Sequence, residues 1–187
     1  MRDFFALIRG KAFIFYCRIF RKNISIGKGL KIYKKLNIIG DGKVLIGENC
    51  LVDGIYGDNN QYVSIDTYSP DAVIAIGENV QLYAARVSAK FQIKIGDDVL
   101  VEESGIVDTD FHSIDRDRGK PSNENKDKCK VHIGSRVCIG ARSYITKGLT
   151  IENDVIIMPG SIVTMSVKSG SVICGNPAKP TAILNNK

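Results

Sequence analysis

The sequence predicts an all-β solenoid, a three-sided coil of short parallel strands, on three observations. Ile133, Ile139, Ile145, Ile151, Ile157 and Val163 recur at a step of six residues. Val137, Ser143, Leu149, Val155, Ser161 and Val167 recur four residues further into the same step. Small or polar residues fill the rest, with Gly directly after the aliphatic at Ile133-Gly134 and Ile139-Gly140. A six-residue step matches neither the 3.6 period of a helix nor the simple alternation of a strand. It matches one flat side per repeat, so three repeats, about eighteen residues, close one turn of a parallel β-helix. The aliphatic of each side then points inward and stacks on its equivalents roughly 4.8 Å above and below.

The signal recurs upstream with interruptions. Ile26, Ile32 and Ile38 keep the step, as do Ile95, Val101 and Val107, and Ile26-Gly27, Ile46-Gly47, Ile76-Gly77 and Ile95-Gly96 each open a turn. The step stretches between Val52 and Ile76 and breaks between Val107 and Ile133. Such interruptions in a solenoid map to loops thrown out from its corners. They place insertions at about 56–72 and 113–130 within a coil of residues 24–184, followed by a short tail at 185–187.

The first 23 residues read as a helix. Phe4, Ile8, Phe15 and Ile19, with Phe5, Ala12 and Tyr16, fall on one face, and Lys11, Arg18 and Arg21 lie opposite. Residues 1–35 hold ten Lys/Arg and one Asp, whereas the rest of the chain has sixteen basic and nineteen acidic residues. The net charge of +6 therefore belongs to the N-terminus. Two uses fit this segment. It caps the open first coil, or it lies on an anionic membrane surface as a peripheral contact. The cations sit on a hydrophobic helix without interleaved aromatics of a nucleic-acid module, so no nucleic-acid partner is expected.

The five cysteines are odd in number and lack CxxC spacing. With no signal peptide and no apolar run of membrane-span length, the expected location is a reducing cytoplasm, with peripheral attachment to the inner membrane face as an option. Cys50, Cys138 and Cys174 read as small apolar fillers at inward or corner positions. No ligand cluster suggests a metal.

Chemistry concentrates in Val107-Asp108-Thr109-Asp110-Phe111-His112-Ser113, at the end of a coil where the second insertion begins. Of the two histidines, His132 sits between Val131 and Ile133 and points outward from a strand, whereas His112 stands at a corner among carboxylates. That makes His112 the candidate general base, with Asp110 or Asp108 to fix its tautomer.

These repeats, the DTDFH segment, the repeat Ile133-Gly134-Ser135-Arg136-Val137-Cys138-Ile139-Gly140 and the ending Gly175-Asn176-Pro177-Ala178-Lys179-Pro180 resemble the hexapeptide-repeat acyltransferases. Within them the chain resembles O-acetyltransferases of sugars and bacterial surface polysaccharides, over about residues 24–184. The resemblance implies a left-handed parallel β-helix, an exception to right-handed crossovers. It also implies a homotrimer with active sites between neighbouring coils, acetyl-CoA as donor and no metal. It implies that His112 deprotonates a sugar hydroxyl, with no acyl-enzyme. Ala141, Pro159, Ser161 and Thr164 match positions facing the pantetheine arm, and Lys179 matches a cation near the nucleotide phosphates. Glu102, Glu103, Ser104 and Asp108 are the candidate acceptor contacts; for the first three, solvated outward strand residues are the plainer alternative.

The chain departs from its relatives at three positions. Cys138 stands where many carry Trp, and Met165 where a Lys often stands, with Lys168 as a nearby substitute. Pro159 lacks an N–H. Two other functions stay open: N-acetylation of an amino sugar, including a nucleotide-linked one, and a non-catalytic scaffold. Serine acetylation is disfavoured because the long helical N-terminal domain of those relatives is missing. A carbonic anhydrase needs three zinc-bound histidines, and the chain has two.

Overall fold

The computed structural model describes residues 1–55, 61–112, 116 and 124–184. The coil is a left-handed parallel β-helix, and its three faces are those that the six-residue step predicts. The first face stacks Ile24–Ile26, Lys43–Ile46, Val73–Ile76, Gln92–Ile95, Val131–Ile133 and Thr150–Ile151. The second stacks Lys31–Ile32, Leu51–Asp53, Gln81–Tyr83, Leu100–Glu102, Cys138–Ile139, Ile156–Ile157 and Ser171–Gly175. The third stacks Leu36–Ile39, Val63–Thr67, Arg86–Ala89, Gly105–Val107, Tyr144–Ile145 and Ile162–Val163. Every coil-to-coil pairing is parallel; only Ala178–Ile183 folds back antiparallel on Ser171–Gly175 and closes the last coil.

In-register pairing puts like residues over like. Ile95 pairs with Ile133 and Ile133 with Ile151. Ile106 pairs with Ile145 and Ile145 with Val163. These side chains are almost wholly buried and form one continuous aliphatic column. The residue four beyond each first-face aliphatic (Leu30, Cys50, Val80, Val99, Val137 and Val155) fills the corner from inside. Just before it the chain turns through the left-handed region, at Asn49, Asn79, Asp98, Arg136 and Asp154 with φ of 56–58°, where Asn and Asp carry little penalty. At this corner Gly47 and Gly96 have no room for a side chain, since a Cβ would overlap the next coil's Gly77 or Gly134 backbone.

One expected boundary is corrected. The insertion placed at 56–72 contains the third-face strand Val63–Thr67, so the coil resumes earlier than the spacing suggests. Residues 56–60 lie outside the described residues, as do 113–115 and 117–123 of the second insertion and the tail at 185–187. The second insertion ends in a helical turn, Lys126–Cys129, which Asn125 caps by accepting from the Asp127 N–H at 2.9 Å.

The N-terminal helix, α1 (Arg2–Phe20), covers the first coil. The face it turns inward is not the aromatic one. Ala6, Gly10 and Cys17 are buried, and Phe13 and Ile14 pack partly against the core. Small residues let the helix approach closely: a Cβ on Gly10 would overlap the Leu30 carbonyl. Arg21 also lies off the opposite face, its guanidinium donating to the Ile38 and Gly40 carbonyls. No described helix is long and apolar enough to cross a membrane.

Candidate active site

The third-face strand Gly105–Val107 delivers the chain to the corner that carries His112. Asp108 does not face solvent. It is fully buried, and its carboxylate accepts from the Lys90 and Phe91 backbone N–H groups at 2.7 and 2.8 Å. It therefore pins this corner to the coil before it. Burial pushes its carboxyl up, against the lowering effect of the N–H groups.

Beyond Asp108 the segment is held by Glu124, which the sequence reading missed. The Glu124 carboxylate accepts from the Thr109 hydroxyl at 2.7 Å and from the Asp110 N–H at 2.9 Å. Lys147 Nζ donates to it at 2.9 Å, and Lys90 Nζ lies at 3.3 Å. The Glu124 side chain is only 6% exposed. A carboxylate at the far end of an insertion thus fastens the start of that insertion to two lysines from neighbouring coils. Nothing in its local sequence signals this, because Thr109, Asp110 and the two lysines are 14 to 34 residues away.

Asp110 does not hold the imidazole as expected. Its carboxylate is engaged by Lys147. Burial alone would lower the Lys147 ammonium, but bonds to Asp110 and Glu124 outweigh it and hold it above the usual lysine value. The link from Asp110 to His112 runs through the backbone, the His112 N–H donating to the Asp110 carbonyl at 2.7 Å. Phe111 sits between them in the left-handed region (φ 63°), its N–H bonded to Thr109 Oγ1 at 3.1 Å. Its ring meets Tyr68 edge to face at 5.0 Å. The His112 side chain is exposed, and among the described residues it has no hydrogen-bond partner. Its ring is therefore open to solvent on this corner.

The other predicted residues divide between two corners. Thr164 lies on the same corner as His112, since Ile106, Ile145 and Val163 are stacked and Thr164 follows Val163. It is exposed, as is Met165. Lys168, the nearby lysine, pairs with Glu152 at 2.8 Å on the surface. Glu102, Glu103, Ala141 and Pro159 lie on the second-to-third corner. Glu102, Glu103 and Ala141 join Gly54, Ile55 and Tyr83 around a cavity of about 270 Å³. Pro159 is exposed beside Gly160, whose N–H bonds the Ala141 carbonyl at 2.9 Å. Lys179 is exposed on the closing hairpin.

Ser104 and Ser161 do not present their side chains to either surface. Ser104 is buried, donates to the Gly140 carbonyl at 2.9 Å and accepts from the Ser143 N–H at 3.1 Å. Ser161 is buried, donates to Met158 O at 2.6 Å, and its own N–H bonds Ser143 Oγ at 3.2 Å. The three serines form an internal column that satisfies corner backbone groups. Cys50 fills its corner as expected. Cys174, however, is exposed, and Cys138 is half-buried on the outer side of the second face. Burial pushes the Cys138 thiol up, away from a reactive thiolate.

No protein-family profile matches the chain. Among curated proteins it is 25% identical over 162 residues to galactoside O-acetyltransferase of Escherichia coli (strain K12), covering 84% of this chain and 72% of that protein. Among solved structures it is similar to the polysialic acid O-acetyltransferase OatWY, with a TM-score of 0.70 at 23% identity, covering 88% of this chain and 76% of that one. It is also similar to AntD, an N-acyltransferase from Bacillus cereus, solved as a point mutant in complex with dTDP and coenzyme A. There the TM-score is 0.63 at 20% identity, covering 86% of this chain and 83% of that one. The chain has the left-handed β-helix fold of these structures and resembles the hexapeptide-repeat sugar O-acetyltransferases.

Proposed function

We propose that the chain transfers an acetyl group from acetyl-CoA to a sugar hydroxyl, with His112 as general base. The observation that carries this is the exposed imidazole, without a hydrogen-bond partner among the described residues, on a corner anchored by Asp108 and Glu124. The imidazole takes the hydroxyl proton as the sugar oxygen attacks the thioester carbonyl. The tetrahedral oxyanion is held by a backbone N–H, then collapses and expels the CoA thiolate. The imidazolium returns its proton to that sulfur. Both substrates bound together supply the remaining acceleration through positioning. Ala141, Pro159 and Thr164 would follow the pantetheine arm through their backbone and exposed surfaces, and Lys179 would meet the nucleotide phosphates. The sugar would belong to a surface polysaccharide or its precursor.

This chemistry asks for a homotrimer. The cavity lined by Ala141 and Glu102 does not include His112, and the two corners lie at opposite ends of the third-face strands. Association about a threefold axis would set one copy's His112 corner against the next copy's Ala141 corner. N-acetylation of an amino sugar is the second reading, supported by the similarity to AntD.

The test is acetyl-CoA consumption across a panel of sugars and amino sugars, with products identified by mass spectrometry. His112→Ala should lower turnover at least the roughly hundredfold typical of a general base, while CoA still raises the melting temperature. Near-normal turnover in that variant would remove His112 from the mechanism. A monomer in sedimentation analysis would remove the intersubunit site, and N-acetylated products would select the second reading.

A further inference from the structure

Helix α1 has two apolar faces, and the coil uses only one. At 100° per residue, Ala6, Gly10, Phe13 and Cys17 gather on the side that meets the coil, and Phe4, Phe5, Ile8, Ala12, Phe15, Tyr16 and Ile19 fill an arc of roughly 120° on the other side. The outer residues are surplus to capping. Phe4 is 64% exposed, Phe15 67%, Ile19 49% and Phe5 52%. Soluble surfaces rarely gather so many large apolar side chains without a partner.

The edges of this arc carry cations. Lys11 and Arg18 border one side and Arg9 the other; Arg2, also on that second side, is paired with Asp53 at 2.6 Å. Lys11 and Arg18 are exposed and have no ion-pair partner among the described residues. Arg9 donates to the Phe5 and Tyr33 carbonyls, which keeps its charge on the rim. The one acid of the helix, Asp3, lies toward the coil and faces Lys31 at 3.8 Å. The outward half of α1 is therefore an aromatic stripe between two positive margins.

We propose that this face docks α1 flat onto an anionic bilayer surface. A stripe of Phe, Ile and Tyr suits the boundary between headgroups and acyl chains, and cations on both margins meet lipid phosphates in one plane. The helix lies on the surface because it is too polar to span. A second copy is the poorer occupant. An isologous contact through this face would set cations against cations with no acid to answer them. Because α1 covers the first coil, docking stands the coil end-on to the membrane. The Gly105–Val107 strand is the fourth of the third face, which puts the His112 corner roughly 14 Å above the capped end.

The full-length protein is pelleted with vesicles of phosphatidylcholine alone and with vesicles that also contain phosphatidylglycerol. It should co-sediment with the second kind and be released by salt. Lys11→Glu/Arg18→Glu should lower partitioning at least about tenfold. Phe15→Ser/Ile19→Ser should lower it comparably with an unchanged melting temperature, since both side chains face solvent. Failure of the wild type to pellet with anionic vesicles overturns the proposal, as does equal pelleting of the variants. A smaller oligomer in Phe15→Ser/Ile19→Ser would assign the face to a second copy instead. Acetyl transfer to a soluble acceptor, measured on the same variants, should be unaffected.

Discussion

The Thr109 hydroxyl donates to the Glu124 carboxylate at 2.7 Å. This bond ties the far end of the second insertion to the segment that presents His112. Glu124→Ala should destabilise the fold by about 2 kcal/mol, since the Thr109 hydroxyl and the Asp110 N–H lose their acceptor. Turnover should fall as well, because the His112 backbone loses its anchor. Denaturant melts and kcat measurements check both. A variant with lower stability and wild-type kcat would show that Glu124 supports the coil but not the base.

Asp110 bonds Lys147 in place of the imidazole. Asp110→Asn should therefore reduce kcat less than the roughly hundredfold expected for loss of the base itself. Equal losses in Asp110→Asn and His112→Ala would mean that Asp110 turns to the imidazole when substrates bind.

Lys147 titrates higher in the folded chain than in the unfolded one. The folded state then keeps a proton that the unfolded state releases. The stabilisation is complete at neutral pH and fades as pH rises through and above about 10.4, the ordinary lysine value. In Lys147→Met the melting temperature should lose part of its alkaline dependence. An identical alkaline profile in both proteins would contradict the ion-pair assignment.

Ser104 and Asp108 are internal fasteners. Ser104→Ala should cost about 1–2 kcal/mol of stability through the unpaired Gly140 carbonyl and Ser143 N–H. Its KM for the acceptor should stay within about twofold of wild type, because no direct contact is removed. A large KM increase with unchanged stability would restore Ser104 as an acceptor contact.

Gly10 sits against the Leu30 carbonyl. Gly10→Ala should lower stability by about 1–3 kcal/mol through overpacking, despite the better helix propensity of alanine. A more stable variant would show that α1 is not docked on the first coil.

Much of this protein was legible because a solenoid repeats one environment every six residues. Ile133, Ile139 and Ile145 each announce an inward side, and the register that stacks them follows from the step alone. The placement of His112 at a corner was legible for the same reason, since it stands where the step breaks. The strand Val63–Thr67 was hidden because its coil is entered through an insertion that destroys the count.

Pattern by itself therefore determined the coil, the inward column and the exposed imidazole, all of which depend on neighbours close along the chain or at a fixed step. Only the tertiary structure decided that Ser104, Asp108 and Ser161 face inward, that Glu124 closes the insertion, and that α1 covers the coil with its small residues and leaves its aromatic side open. Polar atoms at a corner can point into the coil or out of it without changing the repeat. The choice is fixed by which distant backbone groups need a hydrogen-bond partner once the coils are stacked.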